Sequence, residues 1–342
     1  MPPNSAIRVG IAGFGRLARE YYVPILERMG GVSVTGVADP LDASRRASTR
    51  LLPSARTYSG VSDMCAREDL QALLVASPPS SHVEAWQAAR DRGLSTFIEK
   101  PLGLVAQLTF LPQLSDADAR VMVNFNRRFW PAYARCVEAV SSGQLGELQS
   151  IELTVQTNVH RWSTVTQHRL SAAEGGVLHD LGSQAVDVVC QIAGSEPTNI
   201  SSAAGQSSGF EQVELQMQFA SGANARCELG YGPANRENLV IVGSNARMVL
   251  REPNMAPHLL MKGERLRAIH YLTDYAALGY RFFAVRQRLL YYTMSKALNH
   301  FVDAVRTGKT LRPGYSEGVA NLRLLARAAE TMHASPAQVA HG

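Results

Sequence analysis

A glycine-rich turn near the N-terminus restricts the fold of this 342-residue chain more than any other feature. Gly13, Gly15 and Ala18 fill the pattern G-x-G-x-x-G/A, directly after an apolar run at residues 7–12 and before a helical stretch at 18–29. In that context the first glycine permits a tight turn, the second lets backbone N–H groups approach a pyrophosphate, and the small third residue allows a helix to pack closely on a strand. The segment therefore predicts the first strand–turn–helix unit of a dinucleotide-binding sheet.

Strand-like runs alternate with helical stretches through the first third of the chain. The apolar runs that are typical of buried parallel strands lie at residues 7–12, 32–38, 72–76, 95–98 and 121–124. Repeated strand–helix units predict an α/β fold, a doubly wound parallel sheet that binds ligands at the carboxyl ends of its strands. We expect this N-terminal Rossmann domain to cover residues 1–123.

The pattern changes at residue 124. A helix at 131–142 leads into a strand at 147–157, and later runs of alternating polarity, up to residue 251, are typical of antiparallel strands. We expect residues 124–342 to form a C-terminal α+β domain on a largely antiparallel open sheet. Such a sheet has a second face to cover, which favours a homodimer or homotetramer packed sheet to sheet.

Composition excludes several classes of protein. With 46% hydrophobic and 18% charged residues the chain has enough apolar material for packed cores and does not have the composition of a disordered protein. No apolar run approaches the roughly 18 to 20 residues of a membrane span. The N-terminus also lacks a secretory signal, so we expect a cytoplasmic protein without a membrane partner. The cysteines form no CxxC pair, which predicts buried reduced thiols and no metal site, at Cys65, Cys136, Cys190 and Cys227.

The net charge of +5 is concentrated in one segment, residues 256–296. This basic aromatic segment holds seven Lys and Arg, two Asp and Glu, and seven Tyr and Phe. Basic groups among aromatic rings suit an anionic ligand with a flat ring, such as a nucleotide sugar. Apolar residues also recur here at helical spacing, so an amphipathic helix with a solvated face is the alternative. No nucleic-acid-binding signature accompanies the segment, and nucleic acid is not an expected partner.

The second strand ends in Asp39, somewhat beyond the roughly 20 residues at which a dinucleotide-binding carboxylate is expected to follow the glycine turn. A carboxylate there binds the ribose hydroxyls of the adenosine half and repels a 2′-phosphate, which favours NAD over NADP. Arg45 and Arg46 follow closely, and because arginine accommodates that phosphate, NADP stays an alternative.

Several motifs, in their order along the chain, resemble those of the Gfo/Idh/MocA oxidoreductase family. They are Gly13-x-Gly15-x-x-Ala18, Ser77-Pro78-Pro79 with His82, Glu99-Lys100-Pro101, Asn124-Phe125-Asn126-Arg127-Arg128-Phe129 and Gly175–Gly182. The resemblance covers nearly the whole chain and implies a nicotinamide-binding Rossmann domain, followed by a domain whose sheet forms the substrate pocket and the oligomer interface. Family substrates are mostly sugars, cyclitols and their nucleotide-linked or acidic forms.

By this resemblance Lys100 is the catalytic lysine that exchanges a proton with the reacting hydroxyl or carbonyl oxygen. A lysine partly desolvated beside a positive charge is suited to acid–base work near neutral pH, and a lysine that only hydrogen-bonds a cofactor ribose is the alternative. The expected cofactor-binding set is Gly13, Phe14, Gly15, Arg16, Leu17, Asp39, Ser77, Pro78, His82, Glu99, Lys100 and Asn126.

Asp180, Gln184 and Asp187 are four and three residues apart, so a regular helix would place them on one face, which is expected to line the pocket. In the family a histidine or tyrosine often stands four residues after the aspartate, where this chain has Gln184. Glutamine binds substrate hydroxyls but cannot move a proton near neutral pH. Proton transfer then falls to Lys100, with Asp180 assisting, and these two residues with Gln184 form the expected catalytic and substrate-binding set.

Arg161 and Trp162 follow the first strand of the second domain. Arginine there would bind a carboxylate or phosphate and tryptophan would stack on a sugar face, with an ordinary exposed loop as the alternative.

The leading interpretation is an NAD(P)-dependent enzyme that moves a hydride between nicotinamide and a secondary alcohol or ketone of a sugar, including a nucleotide-linked one. A second interpretation keeps the fold but has tightly held NAD oxidise and re-reduce the sugar within one turnover, which gives elimination, hydrolysis or epimerisation. The third is a non-catalytic cofactor-binding protein, because Gln184 replaces the usual histidine or tyrosine.

Overall fold

The computed structural model describes residues 6–159, 175–207, 210–251, 258–261, 264–265 and 286–334. The chain forms two compact units. The first contains Met1–Asn126 and Leu290–Leu322, and the second contains Arg127–Leu289 and Arg323–Gly342.

The division differs from the expected domains, 1–123 and 124–342, mainly in residues 290–322, which return to the first unit. Long-range packing explains the difference. Phe301 contacts Phe97 edge-on, with ring centroids 5.5 Å apart, and the amide of Val123 donates to the carbonyl of Pro313 over 2.8 Å.

Six strands form the sheet of the first unit. They are β1 (Ile7–Ala12), β2 (Val32–Ala38), β3 (Arg56–Tyr58), β4 (Ala72–Val75), β5 (Ser95–Glu99) and β6 (Val121–Asn124). Every pair is parallel, and the order is β3-β2-β1-β4-β5-β6. This confirms the doubly wound sheet, in which the strand order reverses between β1 and β4. The central strands are buried, as strands with helices on both faces must be.

Helices connect these strands. They are α1 (Val23–Arg28), α2 (Asp42–Leu51), α3 (Val61–Arg67), α4 (His82–Arg90) and α5 (Asp116–Ala119). A π-helical turn, Ala18–Tyr22, runs directly into α1. The turn after β1 therefore enters its helix through a wider, five-residue hydrogen-bonded turn.

The second sheet has eight strands. They are β7 (Leu148–Thr157), β8 (Asn199–Ser207), β9 (Phe210–Gln218), β10 (Asn224–Tyr231), β11 (Arg236–Gly243), β12 (Ala246–Arg251), β13 (His258–Met261) and β14 (Glu264–Arg265). Their order is β14-β13-β12-β11-β7-β10-β9-β8. The pairs are antiparallel except β7 with β10, which confirms the largely antiparallel sheet.

Further helices are α6 (Pro131–Ser141), α7 (Ser183–Ala193), α8 (Arg286–Thr307) and α9 (Tyr315–Ala334). A second π-helical turn, Leu178–Gly182, leads into α7. Burial alternates along β10 and β11, so one face of the second sheet is core. The other face is polar, and there Arg226 pairs with both Glu214 and Glu228.

None of the described helices combines the length and apolar character needed to cross a bilayer. Most of the basic aromatic segment, residues 256–296, lies outside the described residues. Within its described part the Tyr291 hydroxyl accepts from Arg28 over 2.8 Å, and Lys296 lies over the ring of Tyr292. These contacts are internal to the first unit.

Candidate active site

The glycine turn has the geometry that its sequence predicts. Gly13 has a φ of +88°, and a Cβ there would lie 2.6 Å from the amide nitrogen of Ser77, so only glycine fits. Its amide donates to the carbonyl of Ala38 over 2.8 Å. Gly15 is the opposite case, because a Cβ there would meet no heavy atom of the described residues within 4 Å. The turn is thus tight on its inner side and open in front of Gly15.

The side chains of Phe14, Arg16 and Leu17 lie in different environments. Phe14 is fully buried, so only its backbone faces the turn. Arg16 forms an ion pair with Glu20 over 3.0 Å, and Leu17 is half-buried. At these three residues a phosphate would therefore contact backbone groups rather than side chains.

Asp39 ties the end of β2 to the glycine turn. Its carboxylate is buried and accepts from the amide of Phe14 over 2.7 Å and from the amide of Leu41 over 2.8 Å. Arg45 donates to the carbonyls of Asp39 and Pro40, each over 2.8 Å. The Asp39 carboxylate is therefore held in one orientation beside the turn.

Asp42 pairs with both arginines that follow Asp39. Arg45 Nη2 lies 3.3 Å from its carboxylate, and Arg46 forms a second ion pair with it. The single Asp42 carboxylate thus offsets part of the positive charge of the two arginines.

His82 has a different place from the one expected. Its ring is fully buried, with Nδ1 2.8 Å from the carbonyl of Pro101 and Nε2 2.9 Å from the carbonyl of Ser77. Both ring nitrogens are engaged with backbone, so His82 holds the loops after β4 and β5 in place. Ser77 is half-buried and Pro78 is exposed at the first of these loops.

Glu99 ends β5, and Lys100 follows it, half-buried. Glu99 Oε1 accepts hydrogen bonds from the Tyr22 hydroxyl and from Asn124 Nδ2. Asn126, also in the expected set, is buried just after β6. The first unit therefore gathers its expected site residues at the carboxyl ends of its strands, the edge at which such sheets bind ligands.

Asp180 lies in the second unit, inside the π-helical turn. Its Oδ2 accepts a hydrogen bond from the Tyr231 hydroxyl over 3.2 Å. Gln184 is buried in the first turn of α7. The π-helical turn carries an extra residue, so the regular four-residue spacing assumed for a single helix face does not hold across it.

Asp187 follows Gln184 by three residues within α7 and is engaged by an arginine. It is buried and accepts from Arg128 in a two-pronged contact, with Nε 3.1 and 3.0 Å from its two oxygens. The other arginine of this run, Arg127, binds buried Glu237 over 2.8 Å. The paired arginines thus hold the second unit together through buried carboxylates, a role that the motif alone did not indicate.

Burial also changes a tyrosine of this cluster. The Tyr133 hydroxyl donates to Glu237, and burial together with the negative charge of Glu237 raises the pKa of Tyr133 well above its ordinary value. Tyr133 therefore stays protonated as the donor of this bond.

Three polar residues of the site were missed by sequence reasoning: Tyr22, Asn124 and Tyr231. Asn124 lies within a motif that was recognised, but nothing in the sequence connects it to Glu99. Arg161 and Trp162 lie outside the described residues.

The comparisons with known proteins agree with this architecture. The model of the Gfo/Idh/MocA oxidoreductase family with an NAD-binding Rossmann fold matches residues 7–125, and the model of the Gfo/Idh/MocA C-terminal domain matches residues 133–249. The inositol 2-dehydrogenase of Rhizobium meliloti strain 1021 is 23% identical over 341 residues, which cover 93% of this chain and 94% of that protein.

Two solved structures share the fold. An oxidoreductase domain protein from Kribbella flavida has a TM-score of 0.77 at 19% identity, and scyllo-inositol dehydrogenase from Lactobacillus casei, with bound NAD(H) and scyllo-inositol, has 0.77 at 16%. Each comparison covers 96% of this chain and 98% of the other. Because family models match both units, this chain belongs to the Gfo/Idh/MocA family of NAD-binding oxidoreductases.

Proposed function

We propose that this protein transfers a hydride between the nicotinamide of NAD and a secondary alcohol or ketone of a cyclitol or sugar. The observation that carries the proposal is the glycine turn, tight at Gly13 and open at Gly15, on the sheet edge that also holds Asp39 and Lys100. Relatives named inositol 2-dehydrogenase support a cyclitol as the first substrate to try.

The first unit fits a dinucleotide. The open space at Gly15 would take the pyrophosphate against backbone N–H groups, and Asp39 would accept from the adenosine ribose. The rest of the dinucleotide would lie beside Ser77, Pro78, Glu99 and buried Asn126. When bound, the nicotinamide supplies or accepts the hydride.

NAD is proposed over NADP on electrostatic grounds. The Asp39 carboxylate repels a 2′-phosphate. Arg45 and Arg46, the groups that could offset this, both pair with Asp42. A phosphate would have to compete with that carboxylate for them.

Lys100 is proposed as the acid–base group. As a neutral amine it takes the proton of the reacting hydroxyl at Nζ, and as an ammonium it returns that proton to a carbonyl oxygen in the reverse direction. Its half-buried place directly after β5 supports this role.

In the second unit, Asp180 and Gln184 are proposed to bind substrate hydroxyls. The bond from Tyr231 fixes the Asp180 carboxylate, and the Gln184 amide can both donate and accept. Arg161 and Trp162 keep their proposed contacts to a carboxylate, a phosphate or a ring face, which would extend the substrate class to anionic and nucleotide-linked sugars.

Gln184 favours a non-catalytic cofactor-binding protein as a second candidate, because its amide cannot move a proton, and NADH binding without turnover of any sugar would support that candidate. A redox-neutral reaction through tightly held NAD is a further alternative. NAD that copurifies, with turnover in the absence of added cofactor, would distinguish the redox-neutral reaction.

We also propose that the protein is cytoplasmic and forms a homodimer or homotetramer. Native mass measurement would test the number of chains in the assembly.

The test of the leading proposal is NADH formation from NAD with myo-inositol, scyllo-inositol, glucose and UDP-glucose. Lys100→Ala is expected to lower kcat by about 100-fold or more with the substrate found, while NADH binding stays within about threefold. Lys309→Ala, a matched change at an exposed lysine, should leave both unchanged. If Lys100→Ala keeps its turnover but binds NADH more weakly, Lys100 only binds the cofactor and is not the acid–base group.

A further inference from the structure

Glu211, near the start of β9, contacts the turn that carries Asp180. Its Oε1 accepts a hydrogen bond from the amide of Val177 over 3.1 Å. Val177 directly precedes the π-helical turn Leu178–Gly182, so its amide is among the first donors of the helix, which have no partner within the helix itself. A carboxylate at this position satisfies such a donor and interacts favourably with the helix dipole. Glu211 therefore holds the beginning of the turn.

Gly176 makes room for this contact. Its φ is +53°, a backbone conformation that favours glycine. A Cβ at this position would lie 2.6 Å from Glu211 Oε1 and 2.8 Å from Oε2. A side chain there would displace the carboxylate from the amide of Val177. The second glycine of the Gly175–Gly182 motif thus has a specific partner in β9, which the motif alone did not indicate.

The second sheet places Glu211 beside Tyr231. β9 and β10 are antiparallel, and Gly230 is paired with Gln212. The next step of this register sets Tyr231 opposite Glu211, and residues directly opposite each other share a sheet face, with Cβ atoms about 4.5 to 5.5 Å apart. Val213, two residues along β9 from Glu211, is buried, so the shared face is the core face. Glu211 and Tyr231 therefore project from neighbouring strand ends onto the same side of the sheet.

These two side chains hold one turn at two points. Tyr231 donates to Asp180 Oδ2 over 3.2 Å, and Glu211 binds the amide of Val177, three residues earlier. One contact alone would leave the turn able to pivot about it, whereas two contacts fix both its position and its rotation. π-Helical turns occur often at functional sites. The two contacts therefore determine where the Asp180 carboxylate lies.

Stability alone does not account for Glu211. The residue is exposed at the strand end, and exposed charged groups contribute little to stability. The helix that continues the turn, α7, is held by its own apolar side chains, such as buried Val186 and Val189. Loss of the Glu211 carboxylate would therefore release the start of the turn and leave the helix packed.

We propose that Glu211 is a positioning residue for substrate binding. It holds the start of the turn, and together with Tyr231 it sets the Asp180 carboxylate in the orientation that accepts a hydrogen bond from a substrate hydroxyl. Glu211 acts through Val177 and the turn, and does not itself touch the substrate. This inference rests on the proposed function, and it adds a residue of the second sheet that no motif assigns to the site.

The test combines steady-state kinetics, with the cyclitol or sugar found, and NADH titration. Glu211→Ala should raise KM about fivefold to tenfold, change kcat by less than about twofold and leave NADH affinity unchanged, because only substrate binding depends on the turn. Glu211→Gln keeps an acceptor oxygen for Val177, so KM should stay within about threefold of wild type. Glu214→Ala is the matched control, a glutamate of the same strand on the polar face, and should alter none of these values.

Hydrogen–deuterium exchange of the whole protein tests the contact without turnover. In Glu211→Ala the amides of residues 177–182 should exchange at least about fivefold faster, because the start of the turn is released. The amides of β10 and of the first unit should keep their wild-type rates.

An unchanged KM in Glu211→Ala would overturn the inference, whether or not the turn exchanges faster. A loss of NADH affinity equal to the rise in KM would also overturn it, since that result marks a general structural role. So would a Glu211→Gln variant as impaired as Glu211→Ala. If wild-type protein turns over none of the substrates tried, the proposed function itself fails, and the substrate role of Glu211 fails with it.

Discussion

Charged residues of the second unit differ in how much they contribute to stability. Asp187 is 4% exposed in its pair with Arg128, whereas Glu214 and Arg226 pair on the polar sheet face at 29% and 54%. Removing one partner of a buried ion pair leaves the other charge buried and uncompensated, which destabilises the fold. Exposed ion pairs contribute little to stability. Asp187→Ala should lower the free energy of unfolding by about 3 kcal/mol in urea denaturation. Glu214→Ala should change it little, and equal effects would contradict this account.

Tyr231 provides a second prediction at this scale. Tyr231→Phe removes the hydroxyl that donates to Asp180, and leaves the ring in place. If Asp180 binds substrate hydroxyls, KM for the cyclitol should rise by about tenfold, with NADH affinity unchanged. Steady-state kinetics and an NADH titration measure both. An unchanged KM would remove Asp180 and Tyr231 from the substrate site.

Sequence motifs located the residues whose role depends on local backbone, such as Gly13 and Gly15. They did not reveal contacts between distant segments. The ion pair of Asp187 with Arg128 could not be predicted, because the two residues are 59 positions apart in the chain. Tyr22 and Asn124 were missed for the same reason, since they meet Glu99 only in the folded sheet.

At the scale of elements, the glycine turn makes a paired prediction. Gly13→Ala forces a Cβ to 2.6 Å from Ser77 N at a φ of +88°, so its thermal unfolding temperature should fall by several degrees. Gly15→Ala places its Cβ in open space, so the protein should fold normally yet bind NADH at least about tenfold more weakly. Thermal unfolding and NADH titration separate the two. Normal NADH binding by Gly15→Ala would show that no phosphate approaches this turn.

Most strands of the first unit could be predicted from the sequence because buried parallel strands are continuous apolar runs. The three-residue strand Arg56–Tyr58 was missed, since it is short and polar. The parallel pairing of β7 with β10 and both π-helical turns were also unforeseen. Pairing direction and an extra residue per turn leave no mark in hydrophobic periodicity.

At the scale of the whole molecule, burial should make the cysteine thiols unreactive. Burial raises the pKa of Cys65 to about 11 and that of Cys136 to about 12, from an ordinary 9.0. Burial, followed by the charge of Asp187, likewise raises the pKa of Cys190 to about 12. Thiolate, the reactive form, is therefore scarce in the folded protein at neutral pH.

A chromogenic disulfide reagent at pH about 8 should label the four cysteines slowly in native protein and rapidly after unfolding. The raised folded-state pKa values also mean that stability falls as pH rises above the ordinary thiol pKa of 9.0, because only the unfolded chain then loses the protons. Fast labelling of native protein would show that the thiols are not buried in solution.

The return of residues 290–322 to the first unit could not be predicted from the sequence either. It depends on contacts such as Tyr315 with Trp86, whose rings lie 5.0 Å apart although the residues are far apart in sequence. The change of pattern near residue 124 marked where the first unit is interrupted, but nothing in the sequence marked where the chain rejoins it.

The central claim is that the first unit binds an NAD-type dinucleotide, and native mass spectrometry of the purified protein tests it most directly. Spectra would be recorded as purified, after denaturation, and with added NADH or NADPH. We expect one dinucleotide per chain, with NADH held more tightly than NADPH because of Asp39. Binding of neither cofactor would contradict the account, and the role proposed for Lys100 would then lose its basis.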